Sequence, residues 1–280
     1  MSADRSSRGR VERMIPPKGP TCIWGCGRSN FNREHIIGRN VAKHLQVRYP
    51  VPIKLGDSPE QKTETVLEGR VCEGCNSGWM ENLDARMVEF MGGALKETPD
   101  GSVELPKGHQ EGLGRWAVKI ALLLQVWMHD LKEAQPDLDL EPPHAATDHF
   151  HKLMDGHPQK ATRVWVGASP DFRAIPVASM SMANWLPEPT PSGIELLAPC
   201  GYHCVFTLRS VVFFVVGWDE GHKDAVADDV LDGAKRFPGK LQQVWPSVPK
   251  RVEWPPQGYL SSEEVAHLIR PYTDWIRPRP

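Results

Sequence analysis

Two close pairs of cysteines are the residues whose spacing most directly predicts chemistry. Cys22 and Cys26 are separated by three residues, and Cys72 and Cys75 are separated by two. Four thiolates fit a closed tetrahedral site, and Zn²⁺ accepts such a site without a redox or geometric demand. The alternatives are two disulfides or four buried free thiols. The spacing favours a structural zinc bound by all four cysteines.

A Glu-His pair lies in the segment between the two cysteine pairs. Glu34 and His35 precede two β-branched residues, Ile36 and Ile37, as is typical of the end of a strand, and Asn76 directly follows the last cysteine. Carboxylate and amide oxygens are hard ligands that suit Mg²⁺ or Mn²⁺. A neutral histidine beside them can deprotonate a water for attack on phosphorus. Together these residue types predict metal-assisted hydrolysis of a phosphodiester.

A short strand and a helix are expected to position these side chains. The segment Thr63–Val71 is β-prone, and Ser77–Met91 has the apolar spacing of a helix whose start Asn76 or Ser77 can cap. The apolar residues of that helix recur three and four positions apart: Met80, Leu83, Met87 and Met91. Glu81, in the first part of the helix, is either a third carboxylate near the metal or an ordinary exposed residue.

The order of these motifs resembles that of a known nuclease family. Glu-His-Ile-Ile at residues 34–37, followed by Cys-x-x-Cys-Asn at residues 72–76, is similar to the zinc-stapled HNH (His-Me finger) endonucleases of the endonuclease VII and McrA-like types. The likeness covers about residues 20–91 and implies a ββα-metal nuclease module. It also implies that Glu34 and Asn76 hold a catalytic Mg²⁺ or Mn²⁺ while His35 is the general base. The expected activity is metal-dependent endonucleolytic cleavage of DNA.

Two positions depart from the pattern of that family. Its members usually carry an asparagine on the second strand that tethers the loop orienting the histidine, and residues 65–71 contain none. Members with a further histidine four residues after the helix-start ligand have a counterpart here in Met80, which is no ligand for a hard metal. We therefore expect a site with few ligands. The alternative functions are a catalytically inactive zinc-stabilised nucleic-acid-binding module, or the same nuclease chemistry acting on RNA.

The charge of the chain is divided unevenly along its length. Residues 1–54 contain 11 Lys and Arg against three Asp and Glu and so carry +8, whereas the other 226 residues carry −10. This asymmetry favours phosphate binding at the N-terminal end, with DNA as the expected partner and RNA as the alternative. Residues 1–20 are expected to form a flexible basic arm. The residues expected to contact nucleic acid are Arg33, Arg39, Lys43 and His44, with plain exposed surface as the alternative for the two arginines.

The remainder of the chain is expected to fold as a separate region. We predict a nuclease domain over residues 21–92 and an α+β domain of unknown role over residues 109–280. Apolar periodicity predicts a helix over 110–131 and two later helices, over 222–236 and from Ser261, where Glu264 would complete a capping box. The predicted strands are Thr162–Gly167, Ile175–Ala183, Ile194–Leu197, Val205–Leu208 and Val211–Trp218.

The predicted fold class is therefore α+β, with a zinc-bound nuclease module followed by a helix and a mixed, β-rich region. Cys200 and Cys204 lie in strand-like sequence, so we interpret them as core cysteines rather than as metal ligands. Trp24 and Trp79 are expected to pack beside the zinc site. A homodimer contact or a site for a protein partner is the hypothesis for the C-terminal region.

Composition excludes several classes of protein. Of the 280 residues, 40% are hydrophobic and 24% are charged, which is typical of a globular chain long enough to bury a core. The longest apolar runs, Ile120–Leu124 and Val211–Val216, are far shorter than the ~20 residues of a membrane span. The N-terminus is rich in Ser and Arg and lacks an apolar stretch. We therefore expect no secretory signal, no membrane partner and a cytoplasmic location.

Overall fold

The protein is a mixture of helices and antiparallel sheets, as seen in a computed structural model. The structure describes residues 19–46, 52–54, 62–64, 66–94, 103–137, 147–157, 162–172, 177–185, 201–218, 237–248 and 251–269. Helices and strands follow one another along the chain in mixed order, and every strand pair in the described part is antiparallel. The predicted α+β class is confirmed. Most of the predicted basic arm lies outside the described residues.

Two antiparallel strands, here called the N-terminal hairpin, form the N-terminal part of the fold. Strand β1 (Phe31–His35) pairs with β4 (Val66–Cys72), which places His35 opposite Val66 and Glu34 opposite Leu67. Between these strands come helix α1 (Arg39–His44) and a small hairpin of β2 (Pro52–Lys54) and β3 (Lys62–Glu64). The β-prone segment predicted upstream of the second cysteine pair is thus divided between β3 and β4.

The helix after the second cysteine pair begins irregularly. A single turn, α2 (Glu73–Cys75), leads into a π-helical turn over Asn76–Met80 and then into α3 (Glu81–Ala94). The prediction of a helix starting at Ser77 is wrong in this detail, because Gly78 has a non-helical backbone (φ −103°, ψ −112°). The predicted apolar face is confirmed, since all four of its residues are buried: Met80, Leu83, Met87 and Met91.

The longest helix lies at the centre of the molecule. Strand β5 (Val103–Leu105) leads into α4 (Lys107–Ala134), which packs against α3 on one side and against the large sheet on the other. The sequence predicts one apolar face, but every residue from Trp116 to Trp127 is buried. The polar residues Lys119 and Gln125 are therefore buried as well. Helix α5 (Thr147–Met154) packs against the same helix.

The C-terminal region contains a five-stranded sheet. Its strands lie in the order β10-β6-β9-β8-β7. They are β6 (Thr162–Ala168), β7 (Val177–Trp185), β8 (Gly201–Leu208), β9 (Val211–Trp218) and β10 (Leu241–Trp245). Four of the predicted strands correspond to β6, β7, β8 and β9. The fifth, Ile194–Leu197, and the predicted helix over 222–236 lie outside the described residues.

Two shorter elements complete the described fold. Strand β11 (Val252–Trp254) pairs with β5. Helix α6 (Ser262–Ile269) follows, and its predicted capping box is confirmed. The Ser261 N–H donates to Glu264 Oε2 (2.9 Å), and the Glu264 N–H donates to Ser261 Oγ (3.2 Å).

One hydrophobic core connects the N-terminal hairpin with the C-terminal sheet. A contiguous cluster of buried residues includes Cys22, Val71, Trp116, Phe206 and Trp254. A second cluster, on the opposite face of the sheet, lies against α6. The domain boundary near residues 92–109 stays a prediction. Among the described residues, no helix combines the length and the apolar character needed to cross a bilayer.

Candidate functional site

The first cysteine pair lies on a tight turn built around glycines. The Cys22 N–H donates to the carbonyl of Arg28 (2.9 Å), and the Gly25 N–H donates to the carbonyl of Cys22 (3.0 Å). Gly25 has φ +75°, a backbone conformation that residues with a Cβ rarely adopt. A Cβ at this position would also lie 2.3 Å from the His151 ring. This turn folds the chain back so that Cys22 and Cys26 face the same point.

The two cysteine pairs meet in one cluster. The sulfurs of Cys22, Cys26, Cys72 and Cys75 all lie within 4.8 Å of one another, and the Sγ atoms of Cys26 and Cys72 are 3.4 Å apart. A tetrahedral zinc with Zn–S bonds of ~2.3 Å would need sulfurs roughly 3.8 Å apart, which falls inside this range. None of the described cysteines forms a disulfide. The cluster could hold a metal such as zinc.

Burial shifts the pKa of two thiols in this cluster toward the protonated form. Burial raises the pKa of the Cys22 thiol to about 11, and it raises the pKa of the Cys75 thiol as well. Without a metal, these buried sulfurs therefore stay protonated at neutral pH. A divalent ion favours the thiolates, because their charge is then compensated inside the protein.

Aromatic side chains enclose the cysteine cluster. Trp24 is fully buried, and its ring meets Trp79 edge-on with the centroids 4.9 Å apart. Phe150 of α5 lies on another side of Trp24 at 5.3 Å. The prediction that Trp24 and Trp79 pack beside the cysteines is confirmed. The contact with Phe150 joins this site to the C-terminal half of the chain.

A separate cavity of about 630 Å³ lies at the end of β1. It is lined by residues of β1, α1, the π-helical turn and α3. The lining residues are Asn32, Arg33, Glu34, His35, Gly38, Arg39, Asn40, Lys43, Asn76, Ser77, Glu81 and Asp84. The cavity thus brings together Glu34, His35 and Asn76, although Asn76 follows the other two by about 40 residues in sequence.

The charged residues of the cavity differ in their exposure. Glu34 and Asp84 are buried, with 4% and 7% of their surface exposed. The cations Arg33, Arg39 and Lys43 are exposed, as is Glu81. Buried carboxylates therefore lie beside exposed cations, an arrangement suited to a metal ion at the acids and a polyanion at the bases.

Glu34 lies in an unusual electrostatic environment. The pKa of its carboxyl is raised to about 7, chiefly by burial; the positive charge of Lys119 opposes this rise and the negative charge of Asp84 adds to it. A carboxylate that is buried next to a second acid gains from a bound cation. The donor set of Glu34 and Asn76 therefore fits a hard divalent metal.

A buried polar group outside the predicted module supports this cavity. Asp84 Oδ1 accepts hydrogen bonds from Trp116 Nε1 (2.8 Å) and from Lys119 Nζ (2.5 Å), both on α4. Sequence reasoning missed these three residues. A signal was present, because Asp84 lies four positions after Met80 on the apolar face of α3, where a carboxylate needs a buried partner.

The predicted nucleic-acid contacts are only partly grouped at the cavity. Arg33, Arg39 and Lys43 line it, whereas His44 does not and lies near Gly92 of α3. Arg33 also pairs with Glu68 across the hairpin, with Nε 3.1 Å from Oε1, and both side chains are largely exposed. The role of these four residues in binding nucleic acid stays a prediction.

The two departures from the family pattern have clear structural positions. Strand β4, which pairs with the strand carrying His35, contains no asparagine. Met80 is 1% exposed and belongs to the core. Other amides line the cavity instead: Asn32 from β1 and Asn40 from α1.

The side chains that line the cavity define the chemistry that it can support. No protein-family model, no curated protein and no solved structure matches this chain. The cavity combines a buried carboxylate, an imidazole and an amide with exposed guanidinium and ammonium groups. Such a set can bind a divalent cation, receive a proton from water and hold a phosphodiester.

Proposed function

We propose that this protein is a metal-dependent endonuclease of the HNH type that hydrolyses phosphodiester bonds in DNA. The observation that carries the proposal is the single cavity that Glu34, His35 and Asn76 share with exposed Arg33, Arg39 and Lys43. The four-cysteine cluster next to the hairpin would bind a structural zinc. A cytoplasmic location remains part of the proposal.

Glu34 and Asn76 would hold one Mg²⁺ or Mn²⁺ ion. A divalent ion bound there supplies stabilisation of the charge on the phosphate and on the leaving oxygen. The buried carboxylate of Glu34 provides the negative charge that attracts the ion, and Asn76 provides a neutral oxygen from the π-helical turn.

His35 would act as the general base. It ends β1, so the pairing of β1 with β4 fixes its backbone, and its side chain lines the cavity beside Glu34. Its imidazole removes a proton from a water as that water attacks phosphorus in line with the leaving oxygen. General-base catalysis by a positioned histidine contributes about 10²- to 10⁴-fold to a rate.

The exposed cations would hold the nucleic-acid backbone. Arg39 and Lys43 lie on α1 and Arg33 lies on β1, so they flank the cavity from two elements. Arginine binds phosphate oxygens through two parallel N–H groups, while lysine acts as a point charge. Binding through these contacts falls steeply as the salt concentration rises.

The central experiment is a cleavage assay on supercoiled plasmid, single-stranded DNA and RNA with Mg²⁺ or Mn²⁺. We expect the wild-type protein to cut DNA and His35→Ala to lose at least about 100-fold of that rate. His109→Ala is the matched control, because His109 is exposed and lies outside the cavity. Its rate should equal that of the wild type.

The outcomes separate the candidate functions. Cleavage that persists unchanged in His35→Ala would overturn the proposed mechanism. Cleavage of RNA but not of DNA would transfer the same chemistry to the other nucleic acid. Binding of all three substrates without cleavage in either metal would identify a zinc-stabilised binding module instead.

A further inference from the structure

Asp84 is a buried acid on the face of α3 that points toward the core. It is 7% exposed, and Trp116 and Lys119 both donate to its Oδ1 atom at 2.8 Å and 2.5 Å. Lys119 is fully buried. Burying an unpaired lysine costs free energy, so the Lys119 ammonium stays bound to the Asp84 carboxylate. Together with the Trp116 hydrogen bond, this ion pair holds the carboxylate in one orientation.

Both donors lie outside the segment that resembles a nuclease. The resemblance ends near residue 91, whereas Trp116 and Lys119 belong to α4. Helix α4 also packs against the five-stranded sheet. The orientation of Asp84 is therefore set by the part of the chain for which the sequence predicts no function.

The second oxygen of Asp84 lies against the turn that follows His35. A Cβ placed on Gly38 would lie 2.0 Å from Asp84 Oδ2. Gly38 has an ordinary φ of −60°, so glycine is required here for space and not for its backbone conformation. Its carbonyl accepts the Ala42 N–H at 3.0 Å and so begins α1. Asp84 thus packs closely against the junction between His35 and α1.

The same residue also lines the cavity that contains the proposed metal ligand. Asp84 and Lys119 both act electrostatically on Glu34, and Glu34 directly precedes His35. Ile36 and Ile37, which connect His35 to Gly38, are buried in the core. The chain from Glu34 to Gly38 is therefore held by the core and by the Asp84 side chain.

We propose that Asp84, fixed by Trp116 and Lys119, is a positioning residue that sets the placement of Glu34 and His35 by packing against Gly38 at the edge of the cavity that they share. The inference rests on the proposed function for its catalytic meaning. It assigns to α3 and α4 the tethering role for which strand β4 has no asparagine.

Two conservative variants test this inference in the full-length protein. Trp116→Phe removes one hydrogen-bond donor to Asp84 and keeps an aromatic ring, and Asp84→Asn removes the charge and keeps the shape. Trp127→Phe is the matched control, because Trp127 is buried on the same helix and lies outside the cavity. Circular dichroism and zinc content check the fold, and if Asp84→Asn does not fold, Trp116→Phe decides.

Two measurements report on the site, and one of them does not depend on cleavage. We expect kcat to fall about 10- to 100-fold in both variants, with KM within about twofold of the wild type. We also expect the imidazole ¹⁵N and ¹H signals of His35 to shift or broaden in both variants. Neither change should occur in Trp127→Phe.

The possible results lead to distinct conclusions. If kcat and the His35 signals in both test variants match those of Trp127→Phe, the positioning role is overturned. If the wild type cleaves no substrate, the proposed function fails, and the His35 signals still decide whether Asp84 positions that ring. A loss of stability without any change at His35 would also overturn the inference.

Discussion

The chain contains two Cys-x-x-x-Cys segments, and they have different surroundings. Cys22 and Cys26 lie on a turn in which Gly25 and Gly27 both adopt φ +75°, and the pair from residues 72 and 75 completes the cluster. Cys204 lies in β8, opposite Val215, in a strand whose eight residues are all buried. Cys200 lies outside the described residues. Among the described residues, the candidate metal centre lies at the first segment, where glycines allow the turn and a second cysteine pair is within reach.

The same two regions also contain buried titratable groups with opposite pKa shifts. Burial raises the pKa of Glu34 to about 7 next to a cavity that it shares with charged residues. Burial lowers the pKa of His203 to about 4 inside the sheet. Both shifts favour the neutral form, and Glu34 lines a cavity into which a compensating ion can enter.

The largest difference in stability between the two cysteine segments should appear when a single sulfur is removed from each. Under the proposed function, Cys75→Ser takes away one of four zinc ligands, and structural zinc sites contribute about 10–16 kcal/mol of binding free energy to folding. We therefore expect this variant to lose its zinc and to unfold far below the wild-type Tm. Cys204→Ala should keep its zinc and lose only about 1 kcal/mol, since it removes one core atom.

Metal analysis and thermal unfolding of natively purified protein check this contrast. A wild-type protein without zinc would overturn the metal centre. Zinc retained in Cys75→Ser and lost in Cys204→Ala would reverse the assignment of the two cysteine segments.

An effect of intermediate size on the free energy of unfolding is expected from His203 at acidic pH. Its pKa is about 4 in the folded chain against 6.5 in an unfolded one, so the unfolded state binds more protons between these values. Its contribution to stability is complete above pH 6.5 and declines as the pH falls toward 4. This loss is on the order of 3 kcal/mol.

Urea unfolding of the wild type and of His203→Gln, from pH 7.5 to pH 4, measures this dependence. The variant should be less stable at pH 7.5 and should lose less of its unfolding free energy on acidification. Parallel curves for the two proteins would mean that His203 is not responsible for the acid sensitivity.

An effect of opposite sign and of no greater size is expected from Glu34 in the absence of Mg²⁺ and Mn²⁺. Its folded pKa of about 7 exceeds its ordinary value of 4.5, so its contribution to stability is complete below pH 4.5 and is lost as the pH rises through 7. Glu34→Gln removes this loss. At pH 8 the variant should therefore be more stable than the wild type by up to about 3 kcal/mol, since the pKa of about 7 already includes the opposing effect of Lys119.

Added Mn²⁺ provides the control for Glu34. Under the proposed function, Mn²⁺ raises the Tm of the wild type at pH 8 and leaves that of Glu34→Gln unchanged. An equal rise in both proteins would place the ion elsewhere, and a wild type less sensitive to alkali than the variant would contradict the sign of the effect.

Local sequence patterns predicted much of the fold. The alternation of apolar runs with turns placed β6, β8 and β9, and apolar periodicity placed α4 and the buried face of α3. The Ser261–Glu264 capping box was predictable because all of its hydrogen bonds are local. The π-helical turn was missed because apolar periodicity reports which residues are buried and does not reveal the non-helical backbone of Gly78.

The candidate site was predicted only as far as its residues are close in sequence or follow a motif. Cys22, Cys26, Glu34, His35, Cys72, Cys75 and Asn76 came from spacing. Asp84, Trp116 and Lys119 were missed, because the tertiary packing of α3 on α4 brings them together. The order of the five strands could not be derived either, since pairing such as that of β6 with both β10 and β9 joins distant segments.

Because Lys119 belongs to α4, the segment that resembles a nuclease depends on a helix outside its own bounds. In a fragment ending at residue 92, the Asp84 carboxylate would have neither Trp116 nor Lys119 as a donor. The apolar face of α3 would also lose the helix against which it packs. Under the proposed function, such a fragment should not be transferable to another protein as an independent nuclease module, whereas a graft that includes α4 would also contain the residues that hold Asp84.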